Sequence, residues 1–275
     1  EGNRATGAKS AEVVGNCKFD QAAEGLDADP AQWRTELGIP ADAFVIVIGS
    51  TRGEEEERFV LDALSPLLGH RESEIRNPQS PIPNPQSPIR NPQSAIRYPQ
   101  SEIQNPKSKI QVVHAPRHLE RVPDLAKEVE RRFGSVALRS KGERGPYLIL
   151  DTYGELSQVY SVADVVIIGG GFADLGGQNL LQPLAHGKPV LHGQYMQNFR
   201  EVADSAMREG ASRTCSTSTE LGAAIGELLT NEDQRLSMGA AAARLVQANT
   251  GASRRYAEAL VAAAKPDPSD KSDQS

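Results

Sequence analysis

The sequence predicts an α/β protein built on a doubly wound parallel sheet. Short continuous runs of aliphatic and β-branched residues alternate with stretches of helical length. The runs show no polar–apolar alternation, the pattern of strands buried on both faces. Polar and glycine-rich turns follow the runs at their C-terminal ends, where open parallel sheets hold ligands. With 275 residues, 38% hydrophobic and 24% charged, the chain has apolar material for one sizeable core.

The chain opens without Met and reads at 11–14 (AEVV) as a strand, so its start is expected to fall inside a longer protein. After the motif GNCKFD at 15–20, residues 30–38 predict a short helix ending at Gly38. Residues 44–48 (FVIVI) form the first clear strand, and GSTRG at 49–53 leads into a helix over 54–68 whose first turn is acidic. Acids there complement the helix dipole. The alternation continues with strands at 110–114, 147–150, 165–168 and 189–191, and helices at 119–133, 155–161, 179–186 and 198–209. Two Ala-rich helices over 218–229 and 231–264 follow, then a polar tail at 266–275 expected to be disordered.

One segment breaks this grammar. From about residue 70 to 111 a seven-residue unit of the type NPQSPIR recurs. Period seven suggests a coiled coil, but a proline in each unit removes a helical hydrogen bond at about 3 kcal/mol apiece. It reads as an extended, polyproline-like insert looping out between a helix and the next strand.

Composition excludes several classes. A formal charge of -6 leaves no basic excess for nucleic acid. Cys17 and Cys215 stand alone, without a CxxC or Cys/His cluster, so neither a disulfide framework nor a zinc site is indicated and a reducing compartment is expected. No stretch of about 18 apolar residues occurs, so this segment is expected to be soluble.

Four strand ends carry candidate chemistry, and a parallel sheet turns all four toward one crevice. Ser50, Thr51 and Arg52 precede a helix whose free N–H groups attract anions, and Arg52 can grip a phosphate bidentately. Pro116 and Arg117 follow the next strand. Tyr153, Gly154 and Glu155 offer a nucleotide both an acceptor and close backbone approach. Gly169, Gly170 and Gly171, then Gly176 and Gly177, bring main chain and N–H groups near a ligand, with Asn179, Leu180, Leu181 and Gln182 opening a helix. Each has a plainer reading: an N-cap at Ser50 or Thr51, a surface ion pair at Arg117, a capping box at 152–155. The glycine turn has neither the GxGxxG nor the GxxxxGK[ST] pattern.

Together the motifs resemble those of the 3-deoxy-D-manno-octulosonic acid (Kdo) transferase family. GNCKFD at 15–20 is similar to its GN-x-KFD element, PRHLER at 116–121 to its PRHxER, DTYGEL at 151–156 to its DTxGEL, and GGQNLLQP at 176–183 to its GG-x-N-xx-EP. The likeness extends through GKPV at 187–190 and runs from about Val13 to Tyr256, interrupted by the heptads. It implies a GT-B glycosyltransferase of two Rossmann-like domains, moving Kdo from CMP-Kdo to lipid A precursor with no metal and no cofactor. Residues 1–20 would then be the end of the acceptor domain and the hinge, and 21–265 the donor-binding domain.

By the same resemblance, Pro116, Arg117, Tyr153, Gly154, Glu155 and Asn179 to Gln182 would contact CMP, and Lys18 would stabilise charge at the transferring centre. The intact enzyme would sit on the cytoplasmic face of the inner membrane. Two departures stand out. Gln182 occupies the place of the family's glutamate, keeping an acceptor oxygen but not the charge. The family's general base, a glutamate of the acceptor domain, has no counterpart here. The alternatives are another GT-B enzyme using a UDP-sugar, or a non-catalytic nucleotide-binding remnant.

Overall fold

The computed structural model describes residues 16–23, 26–69 and 110–263. The strand expected at 11–14, the heptad units up to residue 109 and the tail at 266–275 lie outside the described residues. Among the described residues seven strands form one sheet, β1 (Phe44–Thr51), β2 (Ile110–Pro116), β3 (Ala137–Leu138), β4 (Tyr147–Ile149), β5 (Val165–Ile168), β6 (Val190–His192) and β7 (Ser212–Thr214). Their order is β3-β4-β2-β1-β5-β6-β7 and each pairing is parallel. Structure and sequence agree on the doubly wound class.

The FVIVI run shows why. Val45 and Val47 pack into one core with Leu37, Tyr160, Leu184 and Leu245, while Ile46 and Ile48 pack into the other with Val60, Leu64, Leu125 and Leu228. A strand with a helical layer on each face has no solvent side on which polar residues could alternate. One layer holds α1 (Pro30–Leu37), α5 (Leu181–Ala185) and α8 (Glu232–Asn249); the other holds α2 (Glu54–Leu68), α3 (Val122–Phe133) and α7 (Ser218–Thr230). Between them in sequence lie α4 (Leu156–Val159) and α6 (Arg200–Arg208), and α9 (Ala252–Ala263) follows last.

Local chemistry sets the boundaries. Asp29 caps α1 by accepting from the Ala31 N–H at 2.9 Å, Pro30 supplies the first helical φ, and Gly38 ends it at φ 68°. The expected helices at 119–133 and 198–209 begin as 3-10 turns, at Leu119–Arg121 and Gln197–Phe199. The helix expected at 231–264 breaks in two at Gly251, φ 82°. There Asp20 accepts from the Gly251 and Ser253 N–H groups at 2.5 and 2.6 Å and so starts α9. Strands β3 and β7 had no apolar run to announce them, being two and three residues long at the sheet edges.

The cysteines differ sharply in environment. Cys17 is exposed, whereas Cys215 is buried and desolvation pushes its thiol up to about 11. Because the thiolate is the reactive form, the native protein is expected to yield one rapidly titrated thiol per chain at pH 8 and two in denaturant. Two fast equivalents in the native state would contradict the burial of Cys215.

Candidate functional site

The chain leaves β1 on one side for β2, then returns from β4 to lay β5 on the other side of β1. The order therefore reverses between β1 and β5, and the crevice above their C-terminal ends is the fold's switch point. The ends of β4, β2, β1 and β5 are contiguous along this edge, so all four candidate turns share it.

At the end of β1 the register to β2 shifts between Gly49 and Thr51, and Ser50 takes φ 62°. A non-glycine residue held there marks a backbone conformation its surroundings enforce. Thr51 is buried, and its hydroxyl lies 2.8 Å from His114 Nε2. Its main chain meets β2 instead, where the Arg117 N–H donates to the Thr51 carbonyl at 2.9 Å. Pro116 is buried beside it, but Arg117 is exposed, and its guanidinium has no carboxylate partner among the described residues. Arg52 reaches across the switch point and donates to the Leu175 carbonyl at 3.1 Å. Ser50, Arg52 and Arg117 are thus gathered at neighbouring strand ends.

The β4 end is organised differently. Gly154 takes φ 83°, a conformation open to glycine, and Tyr153 projects into solvent. Glu155 is held by the Arg139 guanidinium at 2.8 Å and by the Thr152 hydroxyl. Arg139, which follows β3, also reaches Glu36 at 3.5 Å and lies 6.0 Å from the Trp33 ring centre. Burial raises the Glu155 pKa, and the hydrogen bonds from Arg139 and Thr152 outweigh it to leave the carboxylate lowered overall. A nucleotide would therefore meet an ion pair here rather than a lone acceptor.

At the β5 end the glycines allow close approach of neighbouring main chain and side chain. A Cβ on Gly169 would lie 2.6 Å from the Ser50 carbonyl oxygen, and one on Gly177 would lie 2.6 Å from Met196 Sδ. The Gly177 N–H donates to the Gly170 carbonyl at 2.7 Å. The N–H groups of Gly170, Gly171 and Phe172 bear on the carboxylate of Glu56, a residue of α2 that is fully buried. Desolvation pushes the Glu56 pKa up, and these N–H groups pull against it. The acidic turn of α2 is thus split: Glu54 and Glu55 are exposed, as dipole partners are, while Glu56 and Glu57 point inward.

The helix expected at 179–186 is reduced to α5, five residues long, with Asn179 Oδ1 accepting from the Leu181 N–H at 2.9 Å. Leu180 and Leu181 are buried, so only their main chain can meet a ligand; Gln182 is half-buried on the first turn. Lys18 stands apart from the strand ends, donating to the Asn198 carbonyl at 3.4 Å and lying 5.5 Å from the Phe199 ring centre, at the approach to α6. Arg121, the last residue of PRHLER, faces away from the crevice and pairs with buried Glu57 at 2.9 Å. Glu56 and Arg139 had no motif to mark them. Their signal was only a run of four acids at 54–57 and a basic residue before an edge turn. No group of three or more His, Cys, Asp or Glu among the described residues could hold a metal ion, and none of the described helices is long and apolar enough to cross a membrane.

No protein-family model matches the chain. It is 32% identical over 261 residues to the 3-deoxy-D-manno-octulosonic acid transferase of Bordetella pertussis, covering 92% of this chain and 52% of that protein. It is also 32% identical over 150 residues to the Haemophilus influenzae transferase of the same name, covering 53% of this chain and 35% of that one. The chain thus spans about half the length, or less, of the curated relatives it matches. Its fold matches the crystal structure of the C-terminal CMP-Kdo binding domain of WaaA from Acinetobacter baumannii, with a TM-score of 0.60 at 20% identity over 84% of this chain and all of that one. Anabaena HepE, solved with UDP-glucose, shares the fold at TM-score 0.51 and 15% identity, over 85% of this chain and 52% of that one. Over nearly its whole length the chain is thus similar in sequence to about half of a 3-deoxy-D-manno-octulosonic acid transferase, and it shares the fold of a C-terminal CMP-Kdo binding domain.

Proposed function

We propose that this chain is the donor-binding half of a glycosyltransferase that moves Kdo from CMP-Kdo to a lipid A precursor. The observation that carries the reading is Arg117, an exposed guanidinium held by its own N–H against the β1 terminus at the switch point. It stands where a nucleotide phosphate enters such a crevice, and no carboxylate among the described residues neutralises it.

The reaction asks for little covalent chemistry from this half. An acceptor hydroxyl attacks the anomeric carbon of Kdo, the bond from that carbon to the phosphate oxygen breaks, and its electron pair leaves on CMP. Arg117 and Arg52 would stabilise the growing phosphate charge, with Ser50 beside them. Lys18, near the approach to α6, would meet the Kdo carboxylate or the same phosphate. The Tyr153–Glu155 turn and the start of α5, with Asn179 and Gln182, would frame cytidine and ribose. The hydroxyl proton would pass to a base in the part of the family's length that this chain does not match. The reading includes a metal-independent reaction, with the acceptor bound by that other half at the cytoplasmic face of the inner membrane.

Calorimetry with CMP, CMP-Kdo, UDP and UDP-glucose tests the reading. The cytidine nucleotides are expected to bind and to raise the melting temperature, since they engage only the folded state. Arg117→Ala should weaken CMP roughly tenfold or more, the worth of one charge-assisted hydrogen-bonded contact, without lowering stability. Heat from UDP-glucose with none from the cytidine nucleotides would instead favour a UDP-sugar enzyme on the same fold.

A further inference from the structure

From the geometry we infer that Glu56 is a positioning residue, an internal anion that clamps the turn after β1 to the glycine turn after β5 and so sets the shape of the switch-point crevice. The inference deepens the nucleotide-site reading. Its structural part stands without that reading.

The carboxylate is divided between the two turns. Oε2 accepts from the Arg52 N–H at 2.7 Å, and Oε1 accepts from the Phe172 N–H at 3.1 Å. The N–H groups of Gly170 and Gly171 bear on it as well. The residue is fully buried, and the partners that hold its charge are main-chain dipoles. Successive N–H groups converging on one point form a concavity suited to an anion. In a glycine-rich turn above a parallel sheet that anion is usually expected to be a ligand's phosphate. Here a side chain of α2 fills the concavity from below.

Two consequences follow for the crevice. The Phe172 N–H is committed to Glu56 and the carboxylate draws those of Gly170 and Gly171 toward itself, so a phosphate is met chiefly by side chains, with Arg52 and Arg117 as the cations at hand. Arg52 is fixed twice, by its N–H to Glu56 and by its guanidinium to Leu175. Glu56 therefore sets both the spacing of the two turns and the direction from which Arg52 enters the crevice. Glutamine cannot substitute: it has one acceptor oxygen, and its NH2 group would face N–H donors.

The test uses the full chain and two variants, Glu56→Gln and Glu56→Asp. Amide hydrogen exchange should show Arg52 and Phe172 protected like strand interior in the wild type. Their exchange should accelerate about tenfold or more in Glu56→Gln, with β4 and β6 unchanged, as expected for lost charge-assisted hydrogen bonds. CMP affinity should fall about tenfold in Glu56→Gln while cytidine, which lacks the phosphate, binds as before; Glu56→Asp should recover part of the loss. Unchanged protection and unchanged CMP affinity in Glu56→Gln would overturn the inference. A wild type that binds no CMP would sink the nucleotide reading, and the exchange result alone would then decide the role of Glu56. Should Glu56→Gln not fold, the wild type decides: Arg52 and Phe172 amides exchanging as fast as exposed loops would refute the clamp.

Discussion

Replacing Gly193 with alanine is expected to cost more than 3 kcal/mol and to leave little folded protein at 37 °C. A Cβ at this buried position, just past β6, would overlap the carbonyl group of Gly171 and the nitrogen of Phe172. Those atoms are main chain in a turn already tied down: Gly171 accepts from the Tyr195 N–H at 3.0 Å, and Phe172 donates to Glu56. A flexible side chain could swing aside, but two backbones pressed together can only separate. Overpacking a core typically costs about 1–3 kcal/mol, and a backbone overlap falls at or beyond the upper end. Against a total stability of about 5–15 kcal/mol, that is a large share. Gly226→Ala is the control. Its Cβ would meet Leu67 at an ordinary 3.7 Å within α7, so the variant should gain about 0.5–1 kcal/mol from helix propensity. Urea midpoints for the two variants should move in opposite directions; a Gly193→Ala midpoint within error of the wild type would refute the close approach.

The same turn shows what one sequence can and cannot disclose. The central strands were legible because β1, β2 and β5 are buried on both faces, and burial of that kind leaves mostly aliphatic residues to write with. Edge strands β3 and β7 need to bury less, so they carry no such run. Helix ends were legible where a cap residue announced them, as Asp29 and Gly38 do for α1, and illegible where the chain tightens into a 3-10 turn before the helix proper.

The candidate site divides along a similar line. That the motif residues share one crevice follows from topology, because parallel strands all end on the same edge. Which atoms face the crevice depends on packing, and here reading by residue type falls short. Thr51 carries a hydroxyl suited to a ligand, yet the turn after β1 directs it down to His114. The glycines look like a phosphate cradle, yet the turn they form faces Glu56, which accepts from the Phe172 N–H, and the Gly169 and Gly177 N–H groups go to main-chain carbonyls. Glu155 looks like a lone acceptor, yet Arg139, sixteen residues earlier in the turn after edge strand β3, neutralises it. In each case the deciding contact is long-range, and no local pattern encodes it.

Thr51 also leads to the second large effect, an acid sensitivity centred on His114. The imidazole is completely buried between two hydroxyls, Thr51 at 2.8 Å from Nε2 and Tyr147 at 2.7 Å from Nδ1. A neutral ring satisfies both, one nitrogen donating and the other accepting, whereas an imidazolium would be a buried charge with no anion in contact. Burial accordingly lowers its pKa from 6.5 to about 3. In that window the unfolded chain binds a proton that the folded chain refuses, so the stability from neutral His114 is present above pH 6.5 and lost as the pH falls toward 3. One such proton removes up to about 1.4 kcal/mol per pH unit. His192 and His186, both lowered by burial, add in the same sense. Glu56, raised by burial, acts oppositely: its burial weakens the fold as the pH rises through its folded value. Glu128, held down to about 2 by Arg131 and Arg132, loses its contribution only at lower pH. Between pH 6.5 and 5 the histidines therefore dominate. Urea unfolding across that range should show stability falling with acid, and His114→Gln, though weaker throughout, should fall less steeply by about one proton. A variant with the wild-type slope would show that His114 is protonated in the fold after all, and that the Thr51–His114–Tyr147 chain beneath the crevice is not the neutral relay its geometry describes.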